Sequence, residues 1–79
     1  MKREMIRILF KQQLDNKEFK ERRRITLNEV SQETGIARAT LTRIANVPGY
    51  NTNTQTIERL CKYFECKPEG LLQYVEDEQ

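Results

Sequence analysis

The 79-residue chain has no histidine, two cysteines, no grouped carboxylates outside its acidic tail EDEQ and no glycine-rich phosphate loop. It is poorly supplied for acid–base, nucleophilic or metal chemistry, so no enzymatic activity, cofactor or bound metal is expected. Its chemistry lies in its arginines. Arg38, Ala39, Thr42 and Arg43 fall on one face of a helical stretch, opposite Leu41 and Ile44. Charge is unevenly spread. Residues 1–43 hold 11 Lys/Arg against 6 Asp/Glu, net +5, and residues 44–79 hold 3 against 6, net −3. A basic half carrying an arginine-bearing face suits a polyanion.

The elements that position this face are two short helices, roughly 27–34 and 37–46. Thr26 and Glu29 form a Thr-x-x-Glu capping box at the start of the first, with Ile25 and Val30 as a hydrophobic staple. Gly35 supplies the positive φ that ends that helix. Ser31 is the small residue where the two backbones approach, and Ile36 plugs the angle. This is the spacing of a helix-turn-helix, whose second helix turns its outer face to a groove.

A chain of this length makes one domain, residues 1–79, with a small core. Mean hydropathy is −0.82, and no run of about 18 apolar residues suggests a membrane span. The basic start MKREMIRILFKQQ has too short an apolar run for a signal peptide, so the expected location is the cytoplasm. Met5 to Phe10 alternates in hydrophobicity and reads as a short strand, with the opening of the first helix as the alternative. Asp15 and Glu18 form a second capping box, with Leu14 and Phe19 as its staple. The first helix therefore starts there, or a turn earlier near Lys11, and runs to about Arg23. Leu14 and Phe19 are its expected buried residues.

Val47 to Thr52 reads as a loop. Asn53, or Thr52 beside it, caps the next helix, in which Ile57, Leu60, Cys61 and Phe64 make an apolar stripe. Pro68 opens a short fifth helix with Leu71 and Leu72 turned to the core, and Tyr74-Val75 reads as a second short strand. Cys61 and Cys66, five apart on a helix, would point in different directions. Both are expected as reduced thiols without an internal disulfide, Cys61 packed in the core.

This order resembles the phage repressor–Cro (Xre) family of helix-turn-helix regulators. The resemblance rests on Thr26-x-x-Glu29-Val30-Ser31-x-x-Thr34-Gly35-Ile36, Arg38-x-Thr40-Leu41-x-Arg43-Ile44, Thr56-Ile57-Glu58-x-Leu60-Cys61, Cys66-x-Pro68 and Leu71-Leu72. It spans about Met5 to Asp77. The fold it implies is all-α and lambda-repressor-like, five short helices with a central helix-turn-helix, joined by a small two-stranded β-ribbon from the chain ends. The function it implies is sequence-specific binding of double-stranded DNA by a homodimer that regulates transcription. Ala37 to Asn46 would be the recognition helix. Arg38, Ala39, Thr42 and Arg43 would face base edges in the major groove, arginine pairing with guanine and Ala39 touching a thymine methyl. Thr26, Thr40 and Asn46 would meet phosphates together with the N-terminus of the second helix. Arg23, in the basic Lys17–Arg24 cluster, would reach only the DNA backbone.

The chain departs from that pattern in places. Ala37 stands where a serine N-cap is usual, Ala45 where glutamate is common, Val47 where glycine is common, and Leu27 where a polar residue often meets DNA. The loop VPGYNTN carries no basic residue. The competing expectation is a protein-interaction module on the same fold, an antitoxin-like or adaptor subunit gripping a partner protein.

Overall fold

The computed structural model describes the backbone of residues 2–78 and the side chains of residues 4–76. Strand β1 (Lys2–Ile8) leads into five helices, α1 (Phe10–Glu21), α2 (Leu27–Thr34), α3 (Arg38–Asn46), α4 (Thr54–Phe64) and α5 (Pro68–Leu71). Strand β2 (Leu72–Glu78) follows directly and pairs antiparallel with β1, from Ile8↔Leu72 out to Lys2↔Glu78. The fold is helical with a terminal ribbon, as expected, and α2 has the expected bounds. Among the described residues no helix is long and apolar enough to cross a membrane.

Each helix contributes one face to a common core. Phe10, Ile25, Val30, Ile36, Leu41, Ile44, Leu60 and Leu71 are buried, with Ile8, Leu14, Ile57 and Phe64 among those packed around them. A fully buried side chain of this kind contributes about 1.5–3 kcal/mol. Asn53 caps α4, its Oδ1 accepting the Thr56 N–H at 2.8 Å, and Pro68 occupies the first turn of α5. Val47-Pro48-Gly49-Tyr50 forms the turn after α3. The Tyr50 N–H donates to the Val47 carbonyl at 3.1 Å, and Gly49 has φ 72, the proline–glycine order of a type II turn.

The N-terminal third corrects three expectations. The strand lies at residues 2–8, so Phe10 is not its end but the first residue of α1, 1% exposed and edge-on to Phe64 at 5.7 Å between ring centroids. Helix α1 does not begin at an Asp15 cap but earlier, at Phe10, beside the alternative start near Lys11. Its start is set by packing: Leu9 N–H donates to Leu71 C=O at 2.7 Å, and Gln13 Nε2 to Gly70 C=O at 2.7 Å. Glu18, freed from any capping box, accepts the Ile25 N–H at 2.8 Å. Phe19, expected inside, is 87% exposed, because the Phe10–Leu14 stripe takes the inner face. α1 ends at Glu21, where Arg22 turns left-handed at φ 55.

The ribbon's inner end joins the core, and the next pair on the same face is exposed. Ile8 and Leu72 are half-buried. Their neighbours along the strands, the cross-strand partners Ile6 and Tyr74, are 55% and 60% exposed.

Candidate nucleic-acid interface

The helix-turn-helix is held by local polar bonds that the sequence foreshadows. Thr26 caps α2, its Oγ1 accepting the Glu29 N–H at 3.2 Å. Gly35 ends α2 at φ 76, donating its N–H to the Ser31 carbonyl at 2.8 Å. Ser31 does more than stay small: its hydroxyl donates to the Ile36 carbonyl at 2.6 Å and so ties one helix to the next. Thr34 Oγ1 donates to Val30 C=O at 2.7 Å and accepts from Ile36 N–H at 3.2 Å. Below this corner Ile36, Leu41 and Ile44 are buried. α3 starts at Ala37 without a side-chain cap, as the missing serine implies.

That packing turns Arg38, Ala39, Thr42 and Arg43 outward, all four exposed. Neither Arg38 nor Arg43 has an ion-pair partner among the described residues. The other polar groups of α3 are partly engaged. Thr42 Oγ1 donates to Arg38 C=O at 3.0 Å, and Asn46 Nδ2 to Thr42 C=O at 3.0 Å. Thr42 thus presents hydroxyl lone pairs, and Asn46 its amide oxygen and second N–H. Thr40 is half-buried. Thr26 is exposed, and with its oxygen accepting at the cap its O–H is left to donate.

Arg23 is placed differently. Its Nη1 and Nη2 grip Glu29 Oε1 and Oε2 at 2.8 and 2.5 Å, and its Nε meets Glu21 Oε1 at 2.9 Å. Glu21 also pairs with Lys17 at 2.6 Å, whose ammonium lies 4.7 Å from the centre of the Tyr63 ring. The reciprocal half of the expected capping box is therefore not made: Glu29 holds Arg23 rather than the Thr26 N–H. The hydrogen bond from Arg23 holds the Glu29 carboxyl below its usual range, the bond from Lys17 does the same for Glu21, and Arg23 is raised by Glu29. Sequence spacing could have suggested this pair, six residues apart across the α1–α2 corner, but equally a capping box. Arg22 and Arg24 are exposed and have no ion-pair partner among the described residues.

Residues 17–77 match the Cro/C1-type helix-turn-helix DNA-binding domain. The chain is also 33% identical over 57 residues, 72% of its length and 68% of the relative's, to YozG of Bacillus subtilis (strain 168), described as an uncharacterised HTH-type transcriptional regulator. No solved structure matches it significantly. The matched region contains the whole corner from the Thr26 cap to Asn46, and the chain belongs to the Cro/C1-type helix-turn-helix DNA-binding family.

Proposed function

We propose that this chain, as one domain, is a sequence-specific transcription regulator that binds double-stranded DNA as a homodimer and has no enzymatic role. α3 enters the major groove. The observation that carries this reading is the exposed face of α3, where Arg38 and Arg43 stand without carboxylate partners among the described residues. A bidentate arginine–guanine contact needs such a fork. Ala39 lies between them for a thymine methyl, and Thr42 offers an acceptor. Thr26, Thr40, Asn46 and the first N–H groups of α2 take phosphates. At the α1–α2 corner the unpaired Arg22 and Arg24 take the phosphate role in place of Arg23.

The homodimer rests on the ribbon. Ile6 and Tyr74 form an exposed apolar cross-strand pair, and an isolated two-stranded ribbon is marginal in water. A second ribbon across a two-fold axis covers both pairs and sets two α3 helices on two half-sites. Sedimentation showing a monomer at tens of micromolar overturns the dimer.

Selection from randomised duplexes should return a preferred site containing guanines. Four to eight neutralised phosphates per dimer should give a slope of log K on log salt of about −4 to −7. A slope near zero overturns the DNA reading. One observation favours the adaptor reading instead: the exposed ring of Phe19 on α1, a natural anchor for a partner protein. Loss of partner capture in Phe19→Ala, with DNA binding absent throughout, decides for it.

A further inference from the structure

The two cysteines play no part in DNA recognition. Their spacing of five suggests side chains pointing apart along one helix, but α4 ends at Phe64 before Cys66 is reached. Glu65 then turns left-handed, φ 54 and ψ 48. The Cys66 N–H donates to the Cys61 carbonyl at 3.0 Å, and the Glu65 N–H to the Lys62 carbonyl at 3.3 Å. These are the two bonds of a Schellman motif, and Cys61 and Cys66 occupy the pair of positions whose side chains meet across the helix end. In this chain the meeting groups are two thiols. A direct main-chain bond also holds their Cα atoms in the short range a disulfide needs. Both cysteines are half-buried and free. Cys66 lines a surface cleft with Gln13, Lys17, Lys20 and Phe64, which gives small solutes a route to it. Burial pushes the Cys66 thiol up, helped by the neighbouring Cys61.

We propose that Cys61 and Cys66 form a reversible intramolecular disulfide when the folded protein meets a hydroperoxide, making the α4–α5 corner a redox-modification site. One thiol, as its thiolate, attacks a peroxide oxygen. The O–O bond breaks, an alcohol or water leaves with the thiol's proton, and that sulfur becomes a sulfenic acid. The second thiol attacks the same sulfur, the S–S bond forms, and the sulfenic oxygen leaves as water with the second proton. Two thiols are oxidised and one hydroperoxide is reduced. α5 leads from this corner straight into β2, so the bridge fixes the segment that carries the ribbon's second strand.

The test treats the full folded chain with hydrogen peroxide and reads intact mass, free thiols and mapped peptides. Both thiols should disappear together, with a loss of about 2 Da, a peptide linking Cys61 to Cys66, and full return on adding dithiothreitol. Cys61→Ser and Cys66→Ser, each checked for native helicity by circular dichroism, should lose the bridge, and the remaining thiol should gain oxygen instead. The proposal is overturned if the wild-type chain gains oxygen, links to a second chain, resists peroxide that oxidises free cysteine, or closes the bridge only in urea. Phenylarsine oxide gives a readout on the unmutated chain, because trivalent arsenic is chelated only by neighbouring thiols. It should bind once per folded chain, and its failure to chelate overturns the juxtaposition itself. None of these readouts involves DNA.

Discussion

The molecule has two arginine-bearing surfaces, and Arg23 at the centre of one is held in the opposite way to the arginines of the other. On the outer face of α3, Arg38 and Arg43 are exposed without carboxylate partners among the described residues. At the α1–α2 corner, Arg23 is gripped on three sides by Glu21 and Glu29. Counting basic residues would rate the corner the stronger DNA surface, since Arg22, Arg23 and Arg24 are consecutive. The geometry takes Arg23 out of that count. A guanidinium already making a bidentate pair must exchange it for a phosphate, and that exchange gains little. The α3 arginines make no such exchange. Arg23 instead braces the first turn of α2 against the end of α1, next to the cap that sets the direction of the helix-turn-helix.

The largest expected effect tests the α3 side. Arg43→Ala should cost about 1–3 kcal/mol on the preferred site and relax the choice at one base pair. Arg38→Ala should act alike at a different base pair. Binding of each variant to one preferred and one scrambled duplex, at two salt concentrations, separates the roles. Equal losses on both duplexes would make these residues phosphate contacts.

The aim of that face depends on the corner at Gly35. Gly35→Val should destabilise the domain by about 1–2 kcal/mol, read as a lower Tm. The reason is backbone conformation, not crowding as the tight angle suggests. A Cβ there would have Arg59 Nη1 as its nearest neighbour, at an ordinary 3.7 Å, but φ is 76. Gly35→Ala should therefore lose most of the same stability. An alanine variant with unchanged Tm would show that the left-handed turn is not needed.

What could be read from the chain divides along the same line as the two surfaces. The helix-turn-helix was legible nearly to the residue because its determinants are local: Thr26 bonds three residues ahead, Gly35 makes its own turn, and Val30, Leu41 and Ile44 follow helical spacing. The outward face of α3 follows from that spacing too. The start of α1 was legible only as one of two alternatives, and the one near Lys11 is the one the fold takes. Asp15 and Glu18 offer a sound local cap, but burial of Phe10 against Phe64 and two bonds to the α5 segment decide the start from more than fifty residues away. Phe19 fell outside for the same reason. The engagement of Arg23 was hidden because Glu29 suited two partners. The meeting of Cys61 and Cys66 was hidden because Glu65, with no glycine to announce it, adopts the left-handed turn.

A smaller effect tests the corner. If Arg23 is silent toward DNA because Glu29 holds it, Glu29→Gln should release it. The salt slope should then steepen by about one unit per subunit, with weaker discrimination between preferred and scrambled duplexes. Arg23→Ala in the natural background should leave the slope unchanged and lower Tm slightly. A slope that flattens in Arg23→Ala would mean that the arginine leaves Glu29 for phosphate on binding, and the contrast between the surfaces would fail.

The smallest effect is in pH. Glu29 and Glu21 both titrate below their usual range in the folded chain, Glu29 through the hydrogen bond from Arg23 and Glu21 through that from Lys17. A carboxyl that binds protons less readily when folded stabilises the fold at any pH above its unfolded value. That contribution disappears as pH falls through the lower folded value. Raised values at Lys17 and Arg23 give the matching effect only at strongly alkaline pH, far from this window. Wild-type Tm should therefore exceed that of Glu29→Gln at neutral pH, and the gap should close between about pH 5 and pH 3. High salt should shrink the gap at neutral pH, since these groups are partly exposed and screened. Arg38→Gln is the control from the other surface. With no carboxylate partner to lose among the described residues, its Tm difference from wild type should stay flat across the same pH range. A gap that closes equally for Arg38→Gln would place a carboxylate against α3 as well and remove the distinction between the two surfaces.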